Sequence, residues 1–374
     1  MADLVQTQPQ GCLSRRKSRR DSGIFLSRIE KENSRWQIFT FYDQWRNMNK
    51  KVVLVTRPFF KDIYQSLTQH FDTILWPEDS PAPLDWIRNH IEQVDALLCM
   101  LTDPINEEII TRGAASRLKV ISQMAVGVDN IAGRSGTTLK IPVGHTPGVL
   151  TETTADFAWA LMMCAARRVV ESALEVKQGN WKAWGPEILC GTDIFGKTLG
   201  LIGFGRIGKA MAFRASGFQM RVLYHEPTEK PENRAIKNAS YVSLEQLLEE
   251  SDYVSLHAYL SPTTKGLIGV PQLARMKESA ILVNTARGAM VDHDALYRAL
   301  IEKKIAAAAL DVFDPEPVPA GHPLLSLPNV IITPHVASAS IATRRKMAEM
   351  TLENIQAGLK GERLPYCANP QIYE

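Results

Sequence analysis

From Lys51 to Pro334, short apolar runs alternate with longer amphipathic stretches, and this alternation leaves few architectures open. The runs "KVVLVT" (51–56), "FDTILW" (71–76), "ALLCML" (96–101) and "KVISQM" (119–124) read as strands buried on both faces, because a half-wet strand would alternate apolar with polar residues. Helical periodicity fills 61–70, 84–93 and 105–117 between them. A second series follows in "TLGLIG" (198–203), "MRVLYH" (220–225), "YVSLHA" (253–258), "AILVNT" (280–285), "AAAALDVF" (306–313) and "NVIITP" (329–334). Buried strands separated by helices predict parallel sheets covered on both sides, and six of them suit a doubly wound sheet. The expected class is therefore α/β, with two doubly wound, Rossmann-like units. Between them, Thr153 to Val170 is apolar nearly all round, which predicts a helix buried on most sides. A last long helix, from Ser338 to about Lys360, has no third unit to join and is expected to pack back on the first.

Composition narrows the function classes. A chain of 374 residues suits two domains, and 45% hydrophobic with 22% charged residues is the make-up of a globular protein. Residues 1–49 hold nine Lys or Arg against five Asp or Glu, so the net charge of +3 leaves the rest near neutral at −1. A nucleic-acid face needs clustered basic residues and is not expected on the folded part. The five cysteines are scattered without a C-x-x-C pair, which points to a reducing, cytoplasmic setting and no metal site. The longest apolar run, "FAWALMMCAA" from Phe157, is half of the ~20 residues that a membrane span requires. Residues 1–47 sustain no period. Their basic "SRRKSRRDS" suggests a targeting segment, but Asp3, Asp21, Glu30 and Glu32 oppose that reading. "MNKKVVLVT" from Met48 reads like a natural beginning, so 1–47 are expected to be a disordered tail or the product of a start codon placed too far upstream.

In "LIGFGRIGKA", Gly203, Gly205 and Gly208 stand at G-x-G-x-x-G spacing, with Arg206 and Ile207 between the last two. The pattern is weak alone, but here it joins a strand to a helix, and an acid, Glu226, closes the next strand. In that context the first glycine makes the turn, the second admits a pyrophosphate, and the third packs helix on strand. Helix N–H groups then face the phosphates. Glu226 would accept hydrogen bonds from the adenosine ribose and repel a 2′-phosphate. It is followed by Pro227, and Lys230 is expected to lie too far along the loop to compensate. NADH is thus expected to be preferred over NADPH.

Three further stretches end strands on the side where open α/β sheets bind ligands: "NTARGAMVD" with Arg287, "LDVFDPEP" with Asp311 and Glu316, and "TPHVASAS" with His335. Taken singly, each has a structural reading as a surface ion pair, a solvated turn or a helix cap. Together they suffice to reduce a 2-keto acid, with Arg287 gripping the substrate, His335 giving a proton to its oxygen, and Glu316 orienting the imidazole. The other seven histidines are read as structural.

On these motifs the chain resembles the D-isomer-specific 2-hydroxyacid dehydrogenases from about Lys51 to about Pro365. "AVGVDNI", "HTPGVLTETTADFAWALMMCAARR" and "GKTLGLIGFGRIG" look most like the glyoxylate and hydroxypyruvate reductases. The resemblance implies a flavodoxin-like substrate domain of 48–148 plus 335–374, and an NAD-binding domain of 149–334. It implies a homodimer built around 153–196, without nucleic-acid or membrane partners. By the same resemblance Arg287 binds substrate and Glu316 partners the proton donor His335. Val126 and Gly127 offer backbone N–H groups to the substrate carboxylate, Thr285 and Ala286 join the cofactor site, and Asp311 contacts the nicotinamide amide. His145 stands where an Asn is usual, and "NIAGRSGTTLK" is atypical, but neither departure is expected to touch the catalytic set. Dinucleotide-sensing corepressors share these residues, yet the long flanking tails of a partner-binding regulator are missing. Phosphite dehydrogenases would carry a lysine at Val126, and phosphoglycerate dehydrogenases often a further domain.

Overall fold

The computed structural model describes residues 50–374 apart from 237, and the expected extension 1–47 lies outside them. Strands β1 (Val52–Val55), β2 (Asp72–Leu75), β3 (Ala96–Cys99), β4 (Val120–Gln123) and β5 (Val143–Gly144) form a five-stranded sheet in the order β2-β1-β3-β4-β5. Every pair is parallel, with Leu54 opposite Ile74 and Leu97. This is the flavodoxin-like order. A second parallel sheet comprises β6 (Thr198–Ile202), β7 (Arg221–His225), β8 (Ala239–Tyr241), β9 (Tyr253–Leu256), β10 (Ile281–Asn284), β11 (Ala307–Leu310) and β12 (Val330–Ile332). Its order is β12-β11-β10-β9-β6-β7-β8, with β6 as the central first strand of a doubly wound sheet.

The inner strands of each sheet, such as β3, β4, β9, β10 and β11, are buried on both faces, which explains their unbroken apolar runs. Successive side chains point oppositely, so Val53 and Val55 join one core cluster while Leu54 joins another. Ile281 and Val283 likewise face the cluster that contains Leu199, and Leu282 faces the other.

The second sheet has seven strands where the apolar runs predict six. The addition, β8, is three residues, "ASY", at the sheet edge and has no buried residue, so it leaves no apolar run to read. The helix expected over 153–170 is divided into Thr151–Ala166 and Val169–Lys177 by Arg168 at φ +52°. The first piece buries Ala155, Ala158 and Met162 against the second sheet, but Val169 and Val170 are exposed. The last helix, Ile341–Lys360, starts later than expected because Ser340 caps it, its hydroxyl accepting from Thr343 N–H. It returns to the first sheet, where Met347, Leu352 and Ile355 share a cluster with Val53, Val55 and Val120. Thr153 and Thr343, near the starts of the two long helices, are joined through their hydroxyls at 2.6 Å.

Ile355 is fully buried in this return contact. Ile355→Ala is expected to lower unfolding free energy by about 2–5 kcal/mol, measured by denaturant titration. Ile301→Ala, at a half-exposed position, should change it by less than about 0.5 kcal/mol.

Candidate active site

In a parallel sheet all carboxyl ends lie at one edge, so the loops that follow them converge. The loops after β4 and β10 to β12 meet around a cavity of about 250 Å³, whose lining includes Asp129, Arg287, Gly288, Asp314, Glu316 and His335. Arg287, Glu316 and His335, drawn from separate stretches of sequence, are thus brought together.

His335 sits just beyond β12 at φ +53°, a left-handed conformation that costs a non-glycine residue about 1–2 kcal/mol. Asp311 holds it there. This carboxylate is 1% exposed. Its Oδ1 accepts from Thr333 Oγ1 at 2.6 Å and Val336 N–H at 2.9 Å, and its Oδ2 accepts from Ala337 N–H at 2.8 Å. Its carbonyl accepts from His335 N–H at 2.9 Å. The turn that carries the imidazole is therefore folded around one buried acid.

His335 Nδ1 lies 2.8 Å from Glu316 Oε2, while Glu316 Oε1 accepts from Phe313 N–H at 2.9 Å. Burial works against ionisation of Glu316, but the His335 bond and charge, the Phe313 N–H and Arg287 outweigh it and hold the carboxyl below its ordinary value. An ionised acid can only accept, so Nδ1 carries the hydrogen and Nε2 is the nitrogen left for a ligand.

Arg287 follows β10, where Asn284 shapes the turn: its Nδ2 donates to Arg287 O at 2.8 Å and its Oδ1 accepts from Ala286 N–H at 3.0 Å. The guanidinium spans to the first sheet. Nε lies 3.0 Å from each oxygen of Asp129, and Nη2 lies 2.8 Å from Oδ1. Nη1 donates to Ala286 O at 2.7 Å. Burial opposes ionisation of Asp129, but Arg287 outweighs it and keeps the carboxyl below its ordinary value. The sequence reading missed Asp129, although it lies in the quoted "AVGVDNI", because nothing local says which distant cation an acid will meet. Gly127 permits this approach, since a Cβ there would collide with Arg287 Nη2.

His145 lies outside the cavity lining and bonds to the segment after β4. Its Nδ1 lies 2.9 Å from Val126 O, and burial, with Arg206 adding to it, holds its pKa below the ordinary value. A neutral ring facing a carbonyl must donate from Nδ1. The ring therefore braces the segment that carries Val126 and Gly127 and makes no hydrogen bond to Arg287, Glu316 or His335.

The glycine loop fits a dinucleotide. Gly203 has φ +93°, and a Cβ there would fall 2.6 Å from Ala258 N. A Cβ at Gly205 would meet nothing within 4 Å, and one at Gly208 would strike Gly203 O. The turn, the open approach and the close packing thus fall to the three glycines in that order. Helix Arg206–Ser216 begins without a side-chain cap, which leaves its first N–H groups to an anion. Arg206 is exposed and Ile207 half-buried beside it. Glu226, 7% exposed at the end of β7, accepts from Asn233 Nδ2 at 2.6 Å. Lys230 Nζ stands 3.7 Å from its Oε2, so the expectation that this lysine lies too far away is corrected: the loop folds back through the short helix Pro231–Ala235. Thr285 is buried with its hydroxyl unpartnered, beside buried Ala286. Among the described residues there is no His, Cys, Asp and Glu group able to hold a metal, and no helix is long and apolar enough to cross a membrane.

Asp311→Asn would place an amide N–H₂ against protein donors. It is expected to cost about 1–3 kcal/mol of stability and to weaken any activity that depends on His335, with thermal melting and steady-state kinetics as the measurements.

A profile described as "D-isomer specific 2-hydroxyacid dehydrogenase, NAD binding domain" matches residues 159–337. The chain is 49% identical over 324 residues to a protein of Korarchaeum cryptofilum (strain OPF8) named glyoxylate reductase, covering 86% of this chain and 97% of that one. The crystal structure of the TT0316 protein from Thermus thermophilus superposes with a TM-score of 0.79 at 45% identity, covering 85% and 99% of the two chains. A glyoxylate reductase structure from Paecilomyes thermophila gives 0.76 at 30% identity, covering 86% and 99%. With that sequence identity and that structural match, this chain belongs to the D-isomer-specific 2-hydroxyacid dehydrogenases.

Proposed function

We propose that the chain reduces a small 2-keto acid, glyoxylate or hydroxypyruvate, to the corresponding D-2-hydroxy acid with NADH. The observation that carries this reading is the Glu316-paired imidazole of His335 sharing one cavity with the Arg287 guanidinium. Relatives named glyoxylate reductase support the substrate class. Arg287 grips the substrate carboxylate and carbonyl oxygen, aided by the backbone N–H groups of Val126 and Gly127. Nε2 of His335 gives a proton to the carbonyl oxygen, and Glu316 keeps the imidazole oriented and charged. A bound reduced nicotinamide supplies the hydride equivalent for the carbonyl carbon. The cofactor would be held by Gly203 to Gly208 at the pyrophosphate, Glu226 at the ribose, and Thr285, Ala286 and Asp311 toward the nicotinamide. In this reading 48–148 with 335–374 is the substrate domain and 149–334 the NAD-binding domain.

A cytoplasmic homodimer fits the same reading. Trp181, Trp184, Ile188 and Phe195 are 56–83% exposed, and apolar side chains so grouped along the chain suit a subunit interface. The NADH preference rests on Glu226, whose carboxylate is already fixed by Asn233 and neutralises Lys230. A ribose 2′-hydroxyl can donate to Glu226, whereas a 2′-phosphate brings only like charge to it, a repulsion that Lys230 at 3.7 Å weakens.

His335→Ala is expected to cut turnover about 10²–10⁴-fold with little change in NADH affinity, whereas Arg287→Ala raises KM as well. The measurement is NADH oxidation over a panel of 2-keto acids with the purified protein, and near-normal turnover by His335→Ala would refute the assigned acid. Glu226→Ser with Pro227→Arg is expected to move kcat/KM toward NADPH. A wild type already faster with NADPH would contradict the role given to Glu226.

A further inference from the structure

We propose that Thr102, oriented by Arg57, is the donor that recognises an oxygen on C3 of the substrate, so that the site favours hydroxypyruvate over a keto acid with a bare methyl there. The inference rests on the reductase reading above and deepens it.

Three side chains of the cavity lining can donate a hydrogen bond into it: Arg287, His335 and Thr102. The carboxylates Asp129, Asp314 and Glu316 are acceptors, and the amide nitrogen of Asn130 is committed to Met100 O, Asp103 O and Gln123 Oε1. The rest of the lining carries no polar side chain. In the reductase reading Arg287 and His335 serve the carboxylate and the carbonyl oxygen, so a third substrate oxygen is left to Thr102.

Thr102 is fixed from behind. It lies in the turn 100–103, closed by Asp103 N–H donating to Met100 O at 3.1 Å. The fully buried carboxylate of Asp103 folds this turn, its Oδ2 accepting from Met100 N–H at 2.7 Å and from the Thr56 hydroxyl. Arg57, the next residue after that threonine, places Nη2 3.3 Å from Thr102 Oγ1. A guanidinium only donates, so it occupies a lone pair of Oγ1 and leaves the threonine hydrogen to point elsewhere. Among the described residues Arg57 forms no ion pair, and its Nε is buried without a partner. An uncompensated cation behind the hydroxyl makes it a stronger donor. A C3 hydroxyl accepts that hydrogen bond, whereas a methyl in the same place covers the donor without satisfying it.

Hydroxypyruvate and pyruvate differ by this one oxygen. The experiment therefore reads the ratio of kcat/KM for hydroxypyruvate to kcat/KM for pyruvate in full-length wild type, Thr102→Val, Thr102→Ser and Arg57→Gln. Wild type should favour hydroxypyruvate by at least about tenfold. Thr102→Val, which keeps the shape and removes the donor, should shrink the ratio by about tenfold, and Thr102→Ser should preserve it. Arg57 is a positioning residue, and Arg57→Gln should shrink the ratio by about threefold, where a merely structural arginine would slow both acids alike. An unchanged ratio in Thr102→Val, or a wild type that takes both acids equally, overturns the proposal and leaves the reductase reading intact. An unchanged ratio in Arg57→Gln overturns the orienting role of Arg57. Failure of wild type to turn over any 2-keto acid overturns proposal and reading together. Thr102 is exposed, so Thr102→Val is expected to fold and decides the matter should Arg57→Gln not fold.

Discussion

The buried carboxylate of Asp311 organises the turn between the last strand of the second sheet and the helix that returns to the first. Three donors converge on it, and its own carbonyl holds the His335 N–H. A buried acid is costly unless its lone pairs are satisfied, and here the donors come from Thr333 and two successive N–H groups of the turn. The same bonds hold His335 in a left-handed conformation that it would not adopt alone. The crossover of the chain and the aim of the imidazole are therefore set by one interaction, and neither can shift without the other.

A second link runs the opposite way. Arg287 comes from the second sheet and Asp129 from the first, and their bidentate pair closes the cavity wall. The pair is partly exposed, so its worth lies in geometry and charge balance more than in stability. A planar fork can donate bidentately to one carboxylate and keep further N–H groups in the same plane, a geometry that the point charge of lysine does not offer. His145 contributes similarly from behind, its neutral ring bracing Val126.

Much of this was legible beforehand for a physical reason. Parallel strands buried on both faces must be continuous and apolar, so β1, β3, β4, β6, β9 and β10 announce themselves, and the ligand edge of the sheets follows from chain direction. Glycines forced by a turn, an open approach and a close contact, at Gly203, Gly205 and Gly208, leave a fixed spacing. Short, half-exposed edge segments do not, which hid β8, and a single left-handed residue, Arg168, broke a helix whose apolar pattern ran on without interruption.

What the sequence determined by itself is everything set by local periodicity and by residue type at strand ends: the α/β class, the dinucleotide loop, and the placing of Arg287, Glu316 and His335 after strands on one edge. What only the tertiary structure decided is which charge meets which. The partnership of Asp129 with Arg287, of Lys230 and Asn233 with Glu226, and of His145 with Val126 depends on distances across folded loops. Such pairings have no period, because a hydrogen bond is specified by where two atoms arrive in space and not by how far apart they lie along the chain.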